Sequence, residues 1–188
     1  KTGVSLRDAN SYEYVVVRRK ENPGVTFVSM PGGSFLMGDI EDEGYLNEKP
    51  VHTVTLSGFE MSVYEITNAQ YAQFLNEALN SGDIAVMNSS VKGVKGIYSG
   101  KEYIYLEGVN SSYPETRCWI TFANNAFSPG AGHENWPVVW VTWYGAKAFA
   151  RYYRLNLPTE AEWEYACRGG KEYKFGTDDG TLNPGKAN

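Results

Sequence analysis

The side chains that could act as nucleophiles or metal ligands are few and widely spaced. The chain contains two cysteines, Cys118 and Cys167, and two histidines, His52 and His133. The histidines show neither HxxxH nor HxH spacing, so a histidine-based metal site has little support. A reactive thiol needs an exposed setting that stabilises the thiolate, and we expect neither cysteine to have one. The sequence does not decide whether the two cysteines form a disulfide, because two cysteines do not define a disulfide framework.

An acidic segment at residues 38–50 is the second place to look for a metal. Its carboxylates are Asp39, Glu41, Asp42, Glu43 and Glu48. Calcium takes about six to eight oxygen ligands, and alternating carboxylates can supply some of them. The EF-hand register fails, however, because Pro50 occupies the twelfth place counted from Asp39. We therefore predict a solvated acidic loop rather than a calcium loop.

Composition argues against two classes of partner. The net charge is −5, and the 17 lysines and arginines are dispersed, so no basic stripe is available for nucleic acid. The longest apolar stretch, residues 136–143, is far shorter than the roughly 20 residues that a membrane-spanning helix needs. The chain begins at Lys1 without a signal-like region, which is consistent with processing. We expect a secreted or cell-surface protein.

Three segments predict helices, each beginning at a threonine. Residues 68–79 follow Thr67, which forms the capping-box pattern with Gln70, and their apolar positions repeat with helical spacing. A second helix follows Thr142. A third follows Thr159, with Glu162 as its capping partner and a glycine pair as its left-handed end. The expected inward faces are Trp143, Ala146, Ala150 and Tyr153 in the second helix, and Trp163, Ala166 and Cys167 in the third.

Short apolar or alternating runs predict strands around these helices. Residues 12–17 favour an edge strand in a lead-in segment that covers 1–24. A domain follows over residues 25–188, where a Pro-Gly-Gly turn between 25–30 and 34–37 predicts a hairpin. Further strands are expected at 51–56, 59–63 and 136–141.

Residues 83–132 form a predicted insertion rich in Gly, Ser, Asn and Tyr. Short alternating pieces at 96–106 and 118–122 favour a small hairpin that decorates the core rather than forming it. One interpretation is that its aromatic side chains bind a protein, a polysaccharide or a second copy of the chain. The alternative is that they fill a satellite core, as aromatic clusters in small hairpins usually do. The candidate binding residues are Tyr103, Tyr105, Tyr113 and Trp119.

Five blocks of sequence carry a family resemblance. They are MPGGSFLMG at 30–38, EKPVH at 48–52, FEMSVYEITNAQY at 59–71, WPVVWVTW at 136–143 and LPTEAEWEYACRGG at 157–170. In order and spacing they resemble the formylglycine-generating enzyme family, also called sulfatase-modifying-factor domains. The resemblance covers about residues 25–188. It implies an α+β, C-type-lectin-like fold with short strands, about three helices and much coil.

The resemblance also implies a chemistry for which this chain lacks residues. The founding enzyme oxidises a sulfatase cysteine to formylglycine, using oxygen and copper held by a cysteine pair. Neither Cys118 nor Cys167 falls on the positions of that pair, and copper(I) needs soft thiolate ligands, so copper is not supported and no catalytic residue is assigned. Asn188 matches an asparagine that gives one calcium ligand in relatives. Calcium binding there would need further donors beyond Asn188.

The sequence therefore favours a non-catalytic, lectin-like binding or structural module of this family. The alternative is the N-terminal part of a copper-dependent oxidase that acts on a sulfatase cysteine. A hydrolase with Ser/His/Asp chemistry is disfavoured because no GxSxG motif is present.

Overall fold

The computed structural model describes residues 5–7, 13–15, 22–109, 112–113, 116–177 and 179–183. It is a mixed fold of short strands and helices, with much of the described chain in turns and coil, as predicted. Strand β1 (Ser5–Arg7) pairs antiparallel with β2 (Glu13–Val15), which lies inside the predicted edge strand at 12–17. The rest of that predicted strand falls outside the described residues.

The next four strands pair differently from the predicted hairpin. β3 (Phe27–Met30) pairs with β6 (Phe59–Ser62), and β4 (Gly33–Met37) pairs with β5 (His52–Leu56). The chain turns sharply between β3 and β4 because Gly32 and Gly33 have φ values of +74° and +134°. A Cβ at Gly32 would lie 2.6 Å from the carbonyl oxygen of Leu56, so this turn needs glycine. The predicted hairpin is wrong because this turn directs β4 to another strand.

Helix α1 (Asn68–Asn80) forms as predicted. The Thr67 side chain accepts a hydrogen bond from the Gln70 amide, and the Gln70 side chain accepts one from the Thr67 amide. Tyr71, Phe74 and Leu75 are at most 2% exposed, so one face of the helix is fully buried.

Helix α2 (Trp143–Tyr152) begins at Thr142, whose hydroxyl accepts a hydrogen bond from the Gly145 amide. Phe149, Ala150 and Tyr153 face the core, but Trp143 is 60% exposed, so its predicted inward position is wrong. Gly145 is buried instead, and it packs close to the backbone of Tyr103.

The predicted insertion forms a large part of the core instead of decorating it. Strands β7 (Ile84–Met87), β8 (Ser90–Gly93) and β9 (Glu102–Tyr105) make an antiparallel sheet, and β10 (Ile120–Ala123) pairs with β11 (Ala126–Pro129). Their side chains pack against α1 and α2. The residues of these strands that are at most 3% exposed are Ile84, Val91, Ile104, Ile120 and Phe127.

Residues 136–141 do not form the predicted strand. They make only isolated bridges, from Pro137 to Thr67 and from Val141 to Ile104. Trp140 has a φ of +63°, in the left-handed region, which interrupts an extended conformation. An apolar run therefore passes over the core without joining a sheet.

Helix α3 (Glu160–Cys167) has the predicted beginning and end but buries a different face. Thr159 and Glu162 form a capping box. The Gly170 amide bonds the Tyr165 carbonyl and the Gly169 amide bonds the Ala166 carbonyl, which is a Schellman motif. Tyr165 is the buried residue of this helix, whereas Trp163 and Cys167 are exposed. The ring of Tyr165 packs on Phe35 and Phe59, and its hydroxyl donates to the Gly32 carbonyl.

Candidate partner-binding surface

The structure separates the four predicted binding residues. Tyr103 is 5% exposed and stacks on Phe74, so it belongs to the core. Tyr113 is 59% exposed and Tyr105 is 40% exposed, while Trp119 is half-buried. The satellite-core alternative therefore describes Tyr103, and the surface interpretation stays a prediction for the other three.

The Tyr105 side chain is held by its own strand. Its hydroxyl donates to the Glu102 carboxylate over 2.7 Å, and Lys92 lies 3.4 Å from the other oxygen of that carboxylate. The hydrogen bond from Tyr105 lowers the pKa of Glu102 and raises that of Tyr105. Tyr105 thus offers its ring edge, but not a free hydroxyl, to a partner.

Trp119 lies at the centre of a compact aromatic cluster, which we define as Arg117, Trp119, His133 and Trp136. The His133 ring stacks on Trp119 with centroids 3.5 Å apart and planes 10° apart, and the Arg117 guanidinium lies 5.1 Å from the Trp119 ring centre. Trp136 packs edge-on against both rings and remains 49% exposed. The cluster combines a cation, an imidazole and two indoles at one surface.

The first turn of α1 fixes the loop that carries His133 and Trp136 of this cluster. The amides of Asn68 and Ala69 donate to the carbonyls of Trp136 and Glu134, and the Asn68 side-chain amide donates to the His133 carbonyl. Amides at a helix N-terminus lack partners within the helix, so the loop satisfies them. Asn68 is fully buried, which makes this attachment part of the core. The backbone that carries His133 and Trp136 is therefore attached to the core.

Trp140 is a further partly exposed aromatic residue, and Thr116 links it to Tyr113. Its indole nitrogen donates to the Thr116 carbonyl over 2.7 Å, and its ring covers Gly108, where a side chain would collide with it. The Thr116 amide in turn bonds the Tyr113 carbonyl. Trp140 is 36% exposed. The sequence analysis assigned Trp136 and Trp140 to a strand and did not identify them as exposed aromatic residues. The available signal was the presence of four aromatic residues within residues 136–144.

The two thiols lie in different environments in the described part of the chain. Cys118 is buried and its thiol donates to the Ile120 carbonyl, and burial raises the pKa of the thiol. Cys167 is exposed, and the two are not bridged. Copper(I) requires thiolate donors together in one place, and a buried protonated thiol does not meet that need.

The described residues do not fit a calcium ion either. Among them, no group of three or more His, Cys, Asp or Glu side chains is arranged to hold a metal ion. The Asp39 carboxylate instead accepts hydrogen bonds from the Glu43 and Gly44 amides and pairs with Lys49. Its role is to shape the acidic loop. Asn188, the predicted calcium ligand, lies outside the described residues.

Within the described ranges, no helix has the length and apolar character needed to span a membrane.

Comparison with known proteins gives a family match over most of the chain. Residues 13–188 match the family model described as sulfatase-modifying factor enzyme 1-like domain. The chain is 38% identical over 174 residues to a formylglycine-generating enzyme of Streptomyces coelicolor, covering 84% of this chain and 52% of that protein. It is 30% identical over 154 residues to the inactive C-alpha-formylglycine-generating enzyme 2 of Bos taurus, covering 78% of this chain and 50% of that protein. The chain thus spans about half the length of these relatives.

Solved structures also align along the chain. The structure of PvdO from Pseudomonas aeruginosa matches all of this chain and 58% of its own, with a TM-score of 0.49 and 19% sequence identity.

Proposed function

Because the chain belongs to the sulfatase-modifying factor enzyme 1-like domain family, we propose that it is a non-catalytic binding module whose aromatic cluster contacts a protein partner. The single observation that carries the proposal is the exposed Trp136 beside the stacked Trp119 and His133, on a loop bound to the first turn of α1. Trp, Tyr and Arg are the residue types that dominate binding energy at protein interfaces.

Rigidity supports this role. A partner that docks on a fixed aromatic surface does not have to order it, so less binding free energy is lost. The hydrogen bonds from Asn68 and Ala69 hold the loop before any partner arrives. Arg117 adds a positive charge at the edge of the surface, which favours a partner segment with an acidic residue next to an apolar one.

The test selects peptides from a displayed library on the 188-residue chain and measures their affinity for two variants. Trp136→Ala removes the exposed indole of the aromatic cluster, and we expect a loss of about 10-fold or more, as for a hot-spot residue. Trp163→Ala is the matched control, because Trp163 is 59% exposed on α3 and outside the cluster. It should leave the affinity unchanged.

Four outcomes count against the proposal. The first is an equal loss in both tryptophan variants, and the second is the recovery of no peptide whose binding depends on Trp136. The third is selective binding of a polysaccharide on a glycan array with the same dependence on Trp136, which would assign the surface to carbohydrate. Self-association that disappears in Trp136→Ala, measured by sedimentation, would replace the heterologous partner with a second copy.

A second candidate is that the chain contributes to a copper-dependent oxidase that generates formylglycine. The observation that favours it is the 38% identity to the Streptomyces coelicolor enzyme over 84% of this chain. The test is oxidation of a Cys-x-Pro-x-Arg peptide by the complete, copper-loaded gene product, together with its Cys118→Ser and Cys167→Ser variants. Turnover would replace the non-catalytic assignment, and turnover that survives both substitutions would place the catalytic thiols elsewhere.

A further inference from the structure

An open cleft lies on the molecule apart from the aromatic cluster. It is bounded by the 3-10 turn Gly96–Tyr98, the C-terminal part of α1 and the last two turns of α2. Its volume is about 320 Å³, close to the lower end of the range for small-molecule sites. None of its lining residues belongs to the aromatic cluster. Its apolar and aromatic walls are formed by Phe74, Ala78, Ile84, Tyr98, Ala148 and Tyr152.

The hydroxyl of Tyr103 is an unused hydrogen-bonding group in this cleft. Tyr103 lines the cleft and is only 5% exposed, yet its hydroxyl makes no hydrogen bond to another residue that the structure describes. Burial, reinforced by the charge of Asp83, raises the pKa of Tyr103, so the phenol keeps its proton at neutral pH. The hydroxyl oxygen is not fully buried, so it is free to donate to a ligand acceptor that enters the cleft.

The charges at the mouth of the cleft leave one positive group unpaired. Lys95 donates to the Ser81 carbonyl and lies 3.9 Å from Asp83, so these two charges largely offset each other. Arg151, in the last turn of α2, makes no side-chain hydrogen bond or ion pair within the described residues. Its guanidinium therefore remains available, and its planar donors fit a carboxylate well.

We propose that this cleft binds a small aromatic carboxylate, with its ring on the apolar wall, its carboxylate paired with Arg151 and the Tyr103 hydroxyl as a second donor. The volume suits one ring with a short acid chain, because it lies near the lower end of the volumes found for small-molecule sites and larger ligands need larger cavities. The proposal does not depend on the function of the aromatic cluster.

The test titrates 3-phenylpropionate into the 188-residue chain and follows backbone amide shifts by NMR. We expect saturable shifts confined to the lining of the cleft, which comprises Gly96–Tyr98, Tyr103, the C-terminal part of α1 and the last two turns of α2, with a Kd on the order of a millimolar or tighter. 3-Phenyl-1-propanol keeps the ring without the charge and should bind about 10-fold more weakly. 3-Phenylpropylamine carries the opposite charge and should not bind measurably.

Variants separate this site from general charge attraction. Arg151→Gln should weaken 3-phenylpropionate binding about 10-fold, whereas Lys147→Gln, on the same helix but outside the cleft, should not change it. Tyr103→Phe should weaken binding several-fold without lowering stability, because its hydroxyl has no bond to lose within the described chain. Equal affinity for the acid and the alcohol, no effect of Arg151→Gln, or shifts that map to the aromatic cluster would each overturn the proposal.

Discussion

Helices α1 and α3 begin with the same motif but are attached to the protein in different ways. Both start at a threonine with a complete capping box, Thr67 with Gln70 and Thr159 with Glu162. α1 buries six residues against the main core, whereas α3 buries only Tyr165. The comparison teaches that a capping box determines where a helix begins, while its attachment depends on what the rest of the chain brings to it.

Helix α3 is attached to the rest of the protein largely by polar bonds, whereas α1 is attached by apolar packing. The Gly38 amide donates to the Glu164 carboxylate over 3.0 Å, and the Gly38 carbonyl accepts from Arg168 over 2.8 Å. Arg168 and Glu164 also pair with each other over 2.9 Å. Lys174, beyond the helix, pairs with Glu43 in the acidic loop. These bonds connect α3 to the start of the acidic loop, and we expect them to respond to charge changes that leave α1 unaffected.

The largest effect should come from the apolar attachment of α1. Phe74 is 2% exposed and contacts Tyr71, Tyr103, Phe149 and Tyr152 through its ring. Phe74→Ala should lower the free energy of unfolding by about 3–5 kcal/mol, because it removes buried apolar area and leaves a cavity. Urea denaturation followed by tryptophan fluorescence measures this. A loss below 1 kcal/mol would mean that α1 is not held by packing.

The matching change in α3 removes its polar attachment. Arg168→Ala takes away the bonds to Gly38 and Glu164 and should cost about 1–3 kcal/mol, since both are partly buried bonds made by a charged group. Faster amide exchange should be confined to α3 and the segment next to Gly38. Lys171→Ala is the control, because Lys171 is exposed and its side chain bonds only Tyr173 among the residues that the structure describes. Exchange that accelerates equally in α1 would contradict separate attachment.

Features of the fold that depend on residues close in sequence were predictable, whereas features that depend on distant contacts were not. The starts of α1 and α3 were predicted because a cap involves residues three apart. The pairing of β4 was not, because it depends on the conformation of Gly32 and Gly33 in a crowded turn. The buried face of α3 was also missed, since a one-turn pattern does not reveal that Tyr165 meets Phe35 and Phe59.

The candidate surface was predicted in part for the same reason. Trp119 was identified from its place in an aromatic-rich segment. His133 and Trp136 were not, because they come close to Trp119 only when the first turn of α1 binds their loop. That contact joins residues far apart in sequence, and periodicity carries no information about it. The first turn was predicted, but its binding partner was not.

The two capping threonines allow a comparison of the same substitution in both helices. Thr67→Ala and Thr159→Ala each remove one hydroxyl acceptor and should each cost about 1 kcal/mol of helix stability. Thr67→Ala should lower the midpoint of global unfolding, because α1 belongs to the main core. Thr159→Ala should mainly speed local amide exchange in α3. Equal shifts of the global midpoint would show that both helices unfold with the core.

The smallest effect is expected at low pH. It tests whether the acidic loop, which is bonded to α3, responds to a change of charge while α1 does not. Burial opposes the ionisation of Asp39, but the amides of Gly44 and Glu43 and the ammonium of Lys49 outweigh it, so its pKa is lowered. A lowered pKa in the folded protein gives stability that is present above the unfolded value of about 3.9 and is lost as pH falls through the folded value.

Amide exchange as a function of pH separates the two regions. Below about pH 4, the Glu43 and Gly44 amides should lose protection while α1 amides keep theirs, once intrinsic exchange rates are corrected for. Asp39→Asn should show low protection of these loop amides already at pH 7, because a neutral amide is a weaker acceptor than a carboxylate. If α1 loses protection at the same pH as the loop, the two attachments are coupled, because a purely local titration of Asp39 would leave the packed face of α1 unchanged.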